Sequence, residues 1–150
     1  MSIFKNNKFD IVLSIFSLQY IDNLEICLKE IKRILKKDGK LIFSLDHPFY
    51  SVVSPKTMKV EGNYNKCGLN EMIKTTDVIR TQKWNNSNSQ KFIFFFRNIS
   101  EIYNNLVNSG FRVEKIIESV SEKGNSPWNK IYSEKLSKNI PPTIIFVAKK

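Results

Sequence analysis

Glycine is scarce in this sequence, and each one stands alone. The five glycines of the 150-residue chain are isolated at turns or helix ends, and no G-x-G pattern occurs. His47 is the single histidine, and the two cysteines, Cys27 and Cys67, lie far apart and in no paired motif. One histidine and two distant cysteines do not make a structural zinc site, so no metal centre is expected. The cysteines read as free thiols in a reducing compartment. No apolar run is long enough to cross a bilayer. The opening MSIFKNNKFD has neither the apolar core nor the small-residue cleavage site of a signal peptide, so a cytoplasmic location is expected.

Acidic residues are also short. Twenty-four Lys and Arg stand against 14 Asp and Glu, a net charge of +10, which raises the question of a nucleic-acid partner. The distribution argues against one. Lys, Asn and Ile are over-used together, and all three have A/T-rich codons, so a biased genome raises Lys without selection for phosphate contacts. The densest group, Lys29, Lys32, Arg33, Lys36 and Lys37, falls within one predicted helix, where a solvated outer face explains it. No membrane partner is indicated.

What the sequence does contain is a strand–helix–strand pattern. FDIVLSIF, residues 9–16, is a nearly unbroken apolar run and reads as a strand buried on both faces of a parallel sheet. Asp22 is a candidate N-cap with Glu25 three residues on. Leu24, Leu28, Ile31 and Leu35 then recur at helical spacing. Lys36 and Lys37 would sit in the last turn, with Gly39 closing the helix. KLIFSLD, residues 40–46, is a second buried strand. The crossover should be right-handed and the two strands parallel.

Beyond Pro48 the character changes. Residues 51–90, broken by Pro55, Gly62, Gly68 and NNSNS, read as an irregular excursion within a single domain, with at most a short helix near Leu69–Ile73. KFIFFF, 91–96, is a short strand or extended arm. RNISEIYNNLVNSGF is a helix with Asn98 as N-cap, and Ile99, Ile102, Tyr103 and Leu106 share its apolar face. Strands follow at about 111–118 and at 143–149.

FDIVLSIFSLQYIDNLEICLKEIKRILKKDGKLIFSLDHPFY resembles the fourth-to-fifth-strand region of class I S-adenosylmethionine-dependent methyltransferases. Shared features are a strand opening on Phe-Asp, an aromatic-ended LQY turn, the helix, and a strand followed by His47-Pro48. The family's glycine pair is reduced here to Asp38-Gly39. RNISEIYNNLVNSGFRVEKIIES and PPTIIFVAKK resemble the family's last helix and final two strands. The resemblance implies an α/β fold: a partial Rossmann-like sheet of order first, second, fourth, third, mixed by an antiparallel last strand. It also implies a missing front half, which in the family carries the glycine-rich loop and the acidic residue for the cofactor's ribose.

By that resemblance the cofactor is S-adenosylmethionine and the acceptor a small molecule. Ser14, Ile15, Phe16 and Tyr20 would touch the cofactor. Gln19, His47, Phe49 and Arg97 would line the substrate pocket. His47 could orient or deprotonate a nucleophile, or be a turn residue held by Pro48. Arg97 follows Phe96 where the family branch often has a His-Arg pair. Trp84 and Trp128 could cover the pocket or anchor loops. No catalytic residue is assigned, because methyl transfer from a sulfonium often needs only alignment. Three alternatives stand beside an active enzyme: a non-catalytic remnant, a basic binding module, and a subunit needing a partner for the cofactor half. In the last case the partner chain, or a second copy, would join at the open strand edge at residues 9–16.

Overall fold

The computed structural model describes residues 3–65, 95–119 and 133–150. Strand β1 (Phe9–Ile15) leads through a 3₁₀ turn (Leu18–Tyr20) to helix α1 (Leu24–Ile34) and strand β2 (Leu35–Asp46). Helix α2 (Pro48–Val52), helix α3 (Ile99–Asn108), strand β3 (Arg112–Ser119), helix α4 (Glu134–Ser137) and strand β4 (Thr143–Lys149) follow. The strands form one mixed sheet in the order β1-β2-β4-β3. β1 and β2 are parallel, and β4 runs antiparallel to both β2 and β3. Fold class and strand order are those expected from the sequence.

The core lies on one face of this sheet. Leu41, Phe43 and Leu45 of β2 and Ile144, Phe146 and Ala148 of β4 meet Leu24 and Leu28 of α1 and Ile102 and Leu106 of α3. Phe43 and Phe146 are register partners, and their rings stack with centroids 5.1 Å apart. Burying each such Leu, Ile or Phe contributes roughly 1.5–3 kcal/mol, so this layer supplies most of the fold's cohesion.

Several boundaries differ from expectation. The N-cap of α1 is Asn23, whose side chain accepts from Ile26 N–H, rather than Asp22. The helix ends at Ile34 and the chain turns extended at Leu35, so Lys36 and Lys37 lie in β2 and not in a last helical turn. Asp38 takes the left-handed conformation (φ 64°). Gly39 is needed for another reason: a Cβ there would meet the Lys36 carbonyl oxygen at 2.9 Å and that of Asp10 at 3.2 Å. The β1–β2 register jumps across this bulge, from Phe9↔Leu35 to Ile11↔Lys40. On α3, Asn98 caps Glu101 N–H as expected, but Tyr103 points outward, 42% exposed. β1, expected to be buried on both faces, has Ile11, Leu13 and Ile15 at 58%, 63% and 62% exposed.

Phe95 and Phe96 form no strand, and the rest of KFIFFF lies outside the described residues. So do Cys67, Trp84, Trp128, the short helix expected near Leu69–Ile73 and most of the excursion. Cys27 is a half-buried free thiol. Among the described residues no helix is long and apolar enough to cross a membrane, and no cluster of ligating side chains could hold a metal. Many basic residues are ion-paired, among them Lys29 with Glu25, Lys36 with Asp10, Lys40 with Glu114 and Lys149 with Asp38.

Candidate active site

The carboxyl ends of β1 and β2 lie side by side, which is where α/β sheets place ligands. The chain leaves β1 through Phe16, which has a left-handed backbone (φ 48°) and whose N–H is held by the Ser44 carbonyl at 3.0 Å. A bulky side chain rarely adopts this conformation, and such strain concentrates at functional turns. The Ser14 and Ser17 hydroxyls close the bend with a 2.6 Å hydrogen bond.

Gln19 then reaches across to the end of β2. Its amide Nε2–H donates to Asp46 Oδ2 and its Oε1 accepts from Asp46 N–H, both at 3.1 Å. A buried amide paired at both ends has one orientation, so this contact fixes the turn relative to the strand. A third segment braces the same turn from outside. Phe95 N–H donates to the Gln19 carbonyl at 2.8 Å, and the Arg97 guanidinium donates to the carbonyls of Ile21, at 2.6 Å, and Asp22. Residues 95–97 therefore hold the turn by main-chain and guanidinium contacts.

Gln19, Asp46, Ser51 and Arg97 line a cavity of about 30 Å³ walled by apolar groups including Phe95 and Phe96. That volume holds a water or two and is far below that of a nucleoside pocket. Two of the four expected substrate residues, Gln19 and Arg97, thus meet at one cavity. His47 and Phe49 lie on either side of Pro48, which lines it, without lining it themselves. Phe49 is 39% exposed, with its ring 6.0 Å from that of Tyr64.

His47 is buried and fully engaged. Its Nδ1 accepts from Phe49 N–H at 3.2 Å, capping α2. A backbone N–H can only donate, so Nδ1 carries no proton and the ring proton sits on Nε2. Nε2 then donates to Glu118 Oε1, 3.0 Å away. With both nitrogens occupied, the imidazole in this arrangement has no lone pair left for a substrate proton.

The four residues expected at the cofactor, Ser14, Ile15, Phe16 and Tyr20, are grouped around the strand end, and none of them lines the cavity. Ile15 and Tyr20 are 62% and 43% exposed, whereas Ser14 and Phe16 are half-buried.

Two features were not foreseen. Asp46 is the partner that makes Gln19 rigid. Glu101, one helical turn after Arg97, has both carboxylate oxygens buried without a hydrogen-bond donor among the described residues, and Arg97 Nε lies 3.9 Å away. Desolvation raises the Glu101 carboxyl above its ordinary value, and the nearby Arg97 charge only partly offsets this. Desolvation likewise lowers the Arg97 guanidinium. The sequence signal for this seam was the four-residue spacing of Arg97, Glu101, Asn105 and Ser109 on the side of α3 nearest α1. Asn105 donates to the Glu101 carbonyl and Ser109 to the Glu25 carbonyl of α1, at 2.8 and 3.4 Å.

Known proteins resemble both the sequence and the fold. Residues 1–43 match the family described as a methyltransferase domain. An uncharacterised protein of Methanocaldococcus jannaschii is 31% identical over 147 residues, covering 98% of this chain and 56% of its own length. A crystal structure of an S-adenosylmethionine-dependent methyltransferase from Mesorhizobium loti superposes with a TM-score of 0.70 at 19% identity, covering 98% of this chain and 64% of that one. One from Listeria monocytogenes, described as a putative enzyme of the same type, gives 0.69 at 19% identity, covering 99% and 64%. The chain therefore spans little more than half the length of its archaeal relative. With this strand order and the matched first βαβ unit, the chain has the fold of the class I S-adenosylmethionine-dependent methyltransferases.

Proposed function

We propose that this chain supplies the acceptor-side part of an S-adenosylmethionine-dependent methyltransferase acting on a small molecule. The observation that carries the reading is the braced turn at the carboxyl ends of two parallel strands. There Gln19, Asp46 and Arg97 converge on one cavity, with Ile15 and Tyr20 exposed beside it and Ser14 and Phe16 half-buried between them. The cavity is too small for the cofactor itself. The outward surface suits one flank of it: Ile15 and Tyr20 offer apolar faces, and Ser14 and Ser17 offer hydroxyls.

The cofactor, when bound, supplies an electrophilic methyl group. The residues here would hold the acceptor still beside that group and keep water out, and alignment is the main requirement of such a transfer. No proton acceptor is assigned, because both His47 nitrogens are already engaged.

The test is a titration of the chain with S-adenosylhomocysteine, followed by amide chemical shifts. With no glycine-rich loop in the sequence, binding should be weak, with Kd around 1 mM or above. The shifts should be confined to Ser14–Tyr20. Shifts that spare this turn, or saturation at micromolar concentration, would contradict the assignment.

A further inference from the structure

His47 joins helix α2 to strand β3, and its two ring nitrogens face different partners. Pro48 occupies the start of α2 and has no N–H, so Phe49 N–H is the first donor of the helix left without an intrahelical partner. His47 Nδ1 is its acceptor, at 3.2 Å. On the other side of the ring, Nε2–H donates to Glu118 Oε1 of β3 at 3.0 Å. The main chain of His47 is held independently. Its N–H donates to the Pro142 carbonyl, and its own carbonyl accepts from Ser51 N–H and from the Ser51 hydroxyl. Pro48 and Ser51 are walls of the cavity, so the turn that this ring caps is part of the candidate site. Among the described residues Glu118 is the one carboxylate within ion-pair reach of the ring. Of the ionisable groups next along the chain, Asp46 is turned to Gln19, and the Tyr50 hydroxyl is turned to Ser133.

We propose that His47 is a proton-sensitive latch on α2: neutral, it caps the helix and holds the Pro48 and Ser51 wall of the cavity; protonated, it lets go of Phe49 and stays on Glu118. The two partners make opposite demands on the ring. Phe49 N–H needs a lone pair on Nδ1, which only the neutral ring offers. Glu118 needs a proton on Nε2, which both forms offer, and that bond strengthens when the ring is charged. A second proton therefore sets two donors against each other at Nδ1 while it tightens the contact with β3. The helix is only five residues long, so losing its cap loosens the whole element rather than one end of it. Pro48 and Ser51 then shift against Gln19 and Arg97, which are braced separately. His47 is the single histidine of the chain, and histidine is the side chain that ordinarily changes charge between about pH 5 and about pH 8. The latch is a property of the fold and holds whether or not the chain transfers a methyl group.

The test is imidazole and amide NMR on the 150-residue chain from about pH 8 to about pH 5. One histidine gives one set of imidazole signals, so the ring is read without ambiguity. At the alkaline end it should be the Nε2–H tautomer. On acidification the Phe49 amide should lose at least about tenfold of its protection from exchange, in step with the ring, while the β4 amides keep theirs. His47→Asn supplies a cap that does not titrate, so Phe49 should stay protected throughout. Glu118→Gln removes the charge that favours the protonated ring, so the transition should need at least about threefold more acid. An imidazole that titrates while Phe49 stays protected would overturn the proposal, as would a ring that carries its proton on Nδ1 at the alkaline end or one that never titrates. A loss of Phe49 protection that survives in His47→Asn would also overturn it, because the response would then come from other groups. The wild-type titration decides the matter on its own should either variant fail to fold.

Discussion

β4 and β1 belong to one sheet and are almost equally apolar, yet they sit in opposite environments. In β4, Ile144, Phe146 and Ala148 are completely buried under the helices, and the alternate residues are half-covered. In β1, the three residues facing away from the helices are more than half exposed. Apolar composition alone does not say which face of a strand is covered. Coverage is decided by where the crossover helices fall, and both α1 and α3 fall on the same side. The stable part of the molecule is thus the β2–β4 layer with its helices, and the Leu18–Tyr20 turn hangs from its less supported border.

The largest expected effect tests this contrast directly. Phe43→Ala or Phe146→Ala should cost about 3–5 kcal/mol through a cavity in the stacked pair. Leu13→Ala should stay within about 0.5 kcal/mol in the isolated chain. Urea-unfolding midpoints of the three variants decide it. A Leu13→Ala cost comparable to that of the phenylalanines would mean that the outer face of β1 is covered after all.

A smaller effect, about 3 kcal/mol, is expected for Arg97→Ala. The change strands the carbonyls of Ile21 and Asp22 and leaves the Glu101 carboxylate without its nearest cation. Arg97→Lys keeps a charge but loses the forked geometry that serves two carbonyls, so it should recover only part of the loss. In both variants the amide signals of Gln19 and Phe95 should shift, while those of β4 stay in place. Shifts spread evenly over the sheet would show that Arg97 stabilises the fold generally and does not specifically brace the turn.

The βαβ unit was legible because its signals are local: an apolar run, a helical stripe, another apolar run. The helix end was misplaced because Asp38 rather than Gly39 takes the left-handed turn, and because Gly39 answers not only to the nearby Lys36 carbonyl but to that of Asp10, on a segment distant in sequence. Burial of β1 was misjudged for a related reason. Its composition suits a central strand, whereas its exposure depends on which faces the helices take. At the cavity, Gln19 and Arg97 had been singled out through resemblance. Asp46 and Glu101 were not, because their importance lies in contacts across 27 residues in one case and in the lack of any donor in the other.

The smallest effect concerns charge on the two sides of the same sheet. Glu101 is buried on the covered side, and desolvation raises its carboxyl, an effect the Arg97 charge only partly offsets. The folded chain therefore holds that proton more tightly than the unfolded chain does. Stability should fall as pH rises from the ordinary glutamate value towards the raised one, and it should not return above it. At the rim of the open face the sign reverses. Asp38 is held below its usual value by Lys149, and Glu114 by Lys40. Their contributions are present above the ordinary carboxylate values and are lost as pH falls through the lowered ones. Both carboxylates lie at the surface, Asp38 more openly than Glu114, so salt should screen their contribution, whereas the effect of the buried Glu101 carboxylate should persist. Unfolding midpoints measured from about pH 3 to about pH 8 at low and high salt separate the two. Glu101→Gln should remove the decline on the alkaline side and leave the salt-sensitive acid limb unchanged. If Glu101→Gln alters the acid limb instead, the carboxylate is ionised and well paired in the folded chain, and the seam between α1 and α3 is wetter than its burial implies.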